Sequence, residues 1–126
     1  MEHLWSPWRS AYVTGSTDRD DGGCFLCSAS RVEADARSVL RVDHAGDTIV
    51  VLNKYPYNAG HLLIAPVRHV PDLTSLTADE AHHLMDIVRR ASSVVEDVMK
   101  PHGMNIGINQ GTAGGAGVPG HLHVHI

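Results

Sequence analysis

Apolar residues recur at helical spacing along one long stretch of this chain. Leu84, Ile87, Val88, Ala91, Val95 and Val98 fall three or four positions apart, which places them on one face and predicts a helix over residues 78–100. Thr77 precedes it as an N-cap with Glu80 three residues on, the pairing of a capping box. Pro101, followed by His102 and Gly103, stops it. Elsewhere the apolar runs are short and rich in β-branched residues, predicting strands over residues 39–42, 48–52 and 61–65. Residues 55–60 read as a turn, and Pro66 ends the third strand. Strands joined this closely pair antiparallel more readily than parallel, because a parallel pair needs a long crossover. After the helix come residues 104–110, a glycine-rich loop over 111–120 and a last strand over 121–126. The pattern predicts an α+β fold, an antiparallel sheet with one long helix packed on it.

The ends and the composition add to this picture. Residues 1–13 carry Trp5, Trp8 and Tyr12, too aromatic for a solvated tail, and are expected to form an arm docked on the domain or on a partner subunit. Residues 14–23 are polar and glycine-bearing, a flexible loop by composition. At 126 residues the chain fits one domain spanning 1–126. No apolar run could cross a bilayer, and the N-terminus lacks a basic start followed by an apolar stretch. The reading is therefore a cytoplasmic protein with no membrane partner. A net charge of −4 argues against wrapping nucleic acid by its phosphates. It leaves room for a small phosphate ligand held by backbone N–H groups. Histidine stands out: ten, as many as lysine and arginine together.

Three of those histidines alternate with apolar residues at the end of the chain. On a strand, His121, His123 and His125 project to one face, while Leu122, Val124 and Ile126 project to the other and can pack on the helix. Same-face neighbours lie roughly 6–7 Å apart along the backbone, so one phosphate-bearing ligand can reach more than one of them. A half-exposed strand, a metal triad and nucleophilic attack at phosphorus by neutral imidazole all fit that alternation. The preceding loop favours phosphorus. Gly111, Gly114, Gly115 and Gly117 let main-chain N–H groups converge on an anion, and Thr112 adds a hydroxyl.

The pattern His-φ-His-φ-His-φ, with φ apolar, resembles the histidine-triad (HIT) superfamily. The resemblance extends to residues 52–66, where Asn53 lies upstream of Gly60-His61, and to Asn109-Gln110-Gly111, and it covers about residues 39–126. It is closest to the branch acting on dinucleoside polyphosphates. It implies a sheet of about five strands and a nucleotide substrate, favoured as a diadenosine polyphosphate and cleaved at the α-phosphorus. His123 resembles the nucleophile that carries the nucleotide as a phosphoramidate. His125 resembles the residue that binds phosphate oxygens and assists the leaving group. Gln110 resembles the glutamine at the bridging or leaving oxygen, Asn109 a polar phosphate-site residue of another branch, and Asn53 the ribose-binding residue. His61 resembles a support that hydrogen-bonds within the triad. From the residues alone, Asn53 would be a strand-end turn residue and His61 a core histidine. Family members commonly pair into homodimers through a continued sheet. They also usually continue past the third histidine with a proline- and arginine-containing segment, whereas this sequence ends at Ile126. Val118 stands where some branches carry a hydroxyl that protonates the leaving group.

Cys24-x-x-Cys27 admits three readings: a redox pair, two buried thiols, or half of a zinc site. A redox motif wants a βαβ setting, and a closed zinc site needs two more ligands. The resemblance supplies them as His69 and His121, in a structural zinc centre that fastens the N-terminal segment to the sheet. No metal is needed for the nucleophilic step. His44, His82, His83 and His102 receive no role. Water as acceptor makes a hydrolase and phosphate a phosphorylase, and the triad serves both. Three other readings stand beside this enzyme: a nucleoside phosphoramidate hydrolase, a catalytically silent nucleotide-binding module, and a metal-dependent hydrolase with three histidines on one ion.

Overall fold

The computed structural model of the chain describes residues 23–54, 60–114 and 120–126. The expected aromatic arm, residues 14–22 of the loop, residues 55–59 of the turn, and residues 115–119 with Val118 and Pro119 lie outside the described residues. The elements run α1 (Phe25–Ser30), β1 (Arg41–Ala45), β2 (Thr48–Leu52), β3 (Leu62–Pro66), a 3-10 turn (Leu73–Ser75), α2 (Ala78–Met99), β4 (Gly107–Ile108) and β5 (Val124–His125). The five strands form one antiparallel sheet in the order β1-β2-β3-β5-β4. The α+β expectation holds.

The sheet is covered on both faces, which is why β2 reads as a continuous apolar run rather than an alternation. Ile49, Val51, Leu63 and Ala65 face Leu26 and Ala29 of α1. Val50, Ile64, Leu122 and Val124 face Leu84, Ile87 and Val88 of α2. The long helix begins as expected: Thr77 accepts from the Glu80 N–H at 3.1 Å, and the Glu80 carboxylate accepts from the Thr77 N–H at 2.8 Å. It ends at Met99, with Lys100 in the left-handed region donating back to Glu96. Val98 was expected on the packed face but is 72% exposed. The helix packs on β2 and β3, and its buried residues, Leu84, Ile87 and Val88, lie in its first half.

Three expected strands need new bounds. The first runs Arg41–Ala45 rather than 39–42, and the third Leu62–Pro66 rather than 61–65. The Asp35 carboxylate accepts from both the N–H and the hydroxyl of Ser38, holding residues 36–40 in a turn that Leu40 closes at φ +58°. The last strand covers Val124–His125, with Ile126 and Leu62 exchanging backbone hydrogen bonds beyond it. It does not reach back to residue 121, because the N–H of Leu122 donates to Val70 at 2.7 Å rather than to β3. The helix α1 was not expected. Six residues with apolar Phe25, Leu26 and Ala29 carry too little periodicity to declare it. Its C-terminal carbonyls are collected by Arg41, which donates to Ala29 and Arg31 at 2.8 Å each and to Ala34 at 3.3 Å.

Glu80 does double duty, since Arg68 also grips it through two N–H bonds at 2.6 and 3.0 Å. That pairing, with the Thr77 N–H, lowers its pKa from 4.5 to about 2. A folded value below the unfolded one adds stability that is complete above pH 4.5 and is lost as pH falls through about 2. Glu80→Gln is expected to lower the urea midpoint at pH 6 and to flatten its decline between pH 4.5 and 2. An unchanged acid slope in the variant would show that the pair adds nothing to acid stability.

Candidate active site and metal centre

The alternation along residues 121–126 sorts the side chains as expected. Leu122, Val124 and Ile126 join the core under α2, and the histidines take the opposite face. His121 and His123 are 0% and 3% exposed, and His125 is half-buried. The His123 and His125 rings lie 4.8 Å apart between centroids, nearer than the backbone spacing because they lean together.

Each ring nitrogen that meets a carbonyl oxygen must be a donor, since a carbonyl only accepts. His123 Nδ1 lies 2.9 Å from the carbonyl of His121, so Nδ1 carries the proton and a neutral His123 presents a lone pair at Nε2. His121 Nε2 lies 2.7 Å from the carbonyl of Pro66, so its lone pair is at Nδ1. Burial lowers the His121 pKa, against the opposing pull of the Pro66 carbonyl, and nearby His69 and His123 lower it further. The ring is therefore neutral at pH 7. His125 Nδ1 lies 3.0 Å from His61 Nε2, and His61 Nδ1 lies 3.2 Å from the amide nitrogen of Asn53. An amide N–H donates to His61 Nδ1, so His61 Nε2–H donates to His125 and leaves a proton on His125 Nε2. Asn53 and His61, 9% and 8% exposed, thus form a buried chain ending on the third histidine. Their backbones meet too, the Asn53 N–H donating to His61 at 3.0 Å.

The remaining expected residues sit along β4 and the loop after it. The β4–β5 register pairs Gly107 with His125 and Ile108 with Val124, and Asn109, exposed, follows directly where β4 ends. Gln110 is exposed, and its side-chain oxygen accepts from the N–H of Leu73 at 2.9 Å. Gly111 takes φ +71°, and a Cβ on Gly114 would fall 2.2 Å from the carbonyl oxygen of Gln110. The turn Gly111-Thr112-Ala113-Gly114 therefore needs glycine at its ends, and Thr112 is exposed on it.

On the other side of His121 lies a second cluster. His121 Nδ1 is 3.3 Å from Cys24 Sγ, 3.5 Å from Cys27 Sγ and 3.2 Å from His69 Nδ1, and Cys27 Sγ is 3.2 Å from His69 Nδ1. The four ligand atoms all lie within 4.8 Å of one another. A tetrahedral zinc with ordinary bonds to sulfur and nitrogen spaces its ligand atoms about 3.3–3.8 Å apart. The donor set fits: two thiols and two imidazole nitrogens, at least one with its lone pair turned inward. Packing leaves little slack, because a Cβ on Gly120 would stand 3.2 Å from Nε2 of His69. His123 and His125 are not part of this cluster, so the described residues do not gather three triad histidines on one ion.

Sequence reasoning missed two connections. The Asp47 carboxylate binds His83 of α2, and the Thr48 hydroxyl lies 3.2 Å from Asp47, tying the β1–β2 turn to the helix. His44 Nε2 donates to the Ser30 carbonyl at 3.0 Å, tying β1 to α1.

Comparison with known proteins agrees with the triad pattern. Residues 32–126 match the HIT domain model. An AP-4-A phosphorylase of Mycobacterium tuberculosis is 35% identical over all of this chain, which covers 67% of that protein. A bis(5'-nucleosyl)-tetraphosphatase (asymmetrical) of Schizosaccharomyces pombe is 43% identical over 60% of this chain and 41% of its own length. The crystal structure of a Zn-bound histidine triad family protein from Mycobacterium smegmatis superimposes with a TM-score of 0.69, at 25% identity, over 81% of this chain and 71% of that one.

Proposed function

The chain belongs to the HIT domain family, and from that premise we propose that it cleaves a dinucleoside polyphosphate, favoured as a diadenosine polyphosphate, at the α-phosphorus through a nucleotidyl-His123 intermediate. The observation that carries the reading is the His123 ring itself. It is buried, its Nδ1 proton is committed to a backbone carbonyl, and the lone pair therefore sits on Nε2, beside a second histidine whose Nε2 is a donor. His123 Nε2 attacks the α-phosphorus, a P–N bond forms, and the P–O bond to the rest of the polyphosphate breaks. His125 Nε2–H donates to the leaving oxygen and stabilises its developing charge. In the second half-reaction an acceptor oxygen displaces His123, the P–N bond breaks and the lone pair returns to Nε2. Water as acceptor releases AMP and a proton, and inorganic phosphate releases ADP. The relative matched over the whole chain is named a phosphorylase, which favours phosphate.

In this reading Asn53 contacts the ribose. Asn109, Gln110, Gly111 and Thr112 line the polyphosphate, and His61 supports His125. Cys24, Cys27, His69 and His121 hold a zinc ion that braces the segment around α1 against the sheet, and the ion supplies structure rather than chemistry. A cytoplasmic homodimer completes the proposal. β4 closes the described sheet as an edge strand, and Val94, Val98 and Ile106 stay exposed on the single chain. Edge strands and exposed apolar surface of this kind are commonly covered by a partner.

The test is incubation with diadenosine tetraphosphate, with and without phosphate, followed by product chromatography and intact mass. The expected result is ATP with ADP when phosphate is present, or ATP with AMP when water is the acceptor, with a transient nucleotide adduct on the protein. Binding without turnover would sink the reading and favour a silent nucleotide-binding module. Turnover of adenosine phosphoramidate alone would favour a phosphoramidate hydrolase.

A further inference from the structure

We propose that the Cys24, Cys27, His69 and His121 centre positions the nucleophile, so that loading it with zinc sets how well His123 is aimed. The proposal deepens the assignment of His123 above and rests on it for its kinetic consequence. It starts from how residues 121–123 are held. The sheet does not hold them: β5 pairs with β3 and β4 only from Val124 onward. Besides the Leu122 side chain, which packs in the core under α2, two ties link this stretch to the centre. The N–H of Leu122 donates to the carbonyl of Val70 at 2.7 Å, and Val70 follows the ligand His69 directly in the chain. The other tie is the His121 ring, fixed at Nε2 by Pro66 and aimed at the other three ligand atoms through Nδ1.

The carbonyl of that same residue accepts the His123 Nδ1–H. Its direction follows the backbone of residue 121, and that backbone follows a ring pinned at both nitrogens. Coordination would hold the ring by a short directional bond, whereas a thiol S–H gives only a weak one. His121 is thus a positioning residue, acting on the reaction through the ring of His123. Groups that orient a reacting or ligating imidazole typically alter rates or affinities about 10–100-fold when lost, and a misplacement of about 1 Å costs on the order of 10²-fold.

The experiment compares zinc-loaded protein with protein stripped by a chelator, both checked for folding by circular dichroism. Three quantities are read: single-turnover adduct formation with diadenosine tetraphosphate, affinity for AMP, and the His123 Nδ1–H signal in a nitrogen-15 imidazole spectrum. Stripping is expected to slow adduct formation about 10–100-fold, to change AMP affinity less than about threefold, and to broaden or abolish the Nδ1–H signal. A brace with no hold on the nucleophile would lower thermal stability and leave that signal unmoved. Where the stripped chain does not fold, cadmium replaces zinc. Its longer bonds keep the centre closed, and a shifted Nδ1–H signal with a slower adduct step is the expected outcome. A stripped or cadmium-loaded protein that stays folded with an unchanged signal and adduct rate overturns the proposal. If zinc-loaded protein forms no adduct but its Nδ1–H signal still follows zinc, the positioning stands and the assigned reaction fails.

Discussion

His123→Ala is expected to reduce turnover of diadenosine tetraphosphate by at least about 10⁴-fold, the order of loss seen when an enzyme is deprived of its nucleophile. No neighbour can substitute. His125 Nδ1 is engaged with His61 and its Nε2 carries a proton, while His121 has both ring nitrogens committed on the far side. Binding should survive within a few-fold, because the residues proposed to hold ribose and polyphosphate lie just after β2 and in the loop after β4. Metal content should stay at the wild-type ratio, because His123 is outside the Cys24, Cys27, His69 and His121 cluster. Intact mass, calorimetric AMP binding and zinc analysis on one preparation check all three. An adduct that still forms would place the nucleophile elsewhere, and a lost metal would revive the reading of three histidines on one ion.

How much of this could be read from the sequence depended on whether the signal was local. The long helix was legible because its cap, Thr77 and Glu80, and its apolar face lie within one stretch. Its error at Val98 came from outside: periodicity reports a face, not whether anything covers it. The histidine alternation gave the two faces of residues 121–126 correctly and gave their pairing wrongly, since the Leu122 bond to Val70 spans a loop that no local pattern announces. Leu40 in a left-handed turn likewise carries no mark in its side chain. The candidate metal-binding cluster joins Cys27 to His69 across 42 residues and His69 to His121 across 52. Spacing could not assemble it, and the resemblance supplied it. The Asp47–His83 tie, 36 residues apart, had no such guide and went unseen. The same holds for Gln110, whose side chain was expected at the substrate and whose oxygen sits on the N–H of Leu73.

The expected result with the largest effect on stability concerns the residue between the first two histidines. Leu122 is 2% exposed and packs in the cluster under α2 with Val50, Ile64, Leu84 and Val88. Leu122→Ala removes three carbon atoms and leaves a cavity lined by side chains fixed in strands and helix, which cannot collapse far. The expected loss is about 2–5 kcal/mol, set against a total of about 5–15 kcal/mol for a domain of this kind. Val32→Ala, at a position 80% exposed, should stay within about 0.5 kcal/mol and serves as control. The site should feel the change as well, because the backbone of Leu122 joins the His121 carbonyl to His123, the proposed nucleophile whose Nδ1–H that carbonyl accepts. Urea unfolding gives the first quantity, and single-turnover adduct formation at a temperature where the variant is fully folded gives the second. A stability loss below about 1 kcal/mol would mean that the cluster refills the space and Leu122 is not a fixed core position. A large stability loss with an unchanged adduct rate would mean that the His121 ring alone keeps the nucleophile in place. The two measurements together therefore separate the part of the site held by the hydrophobic core from the part held by the Cys24, Cys27, His69 and His121 cluster.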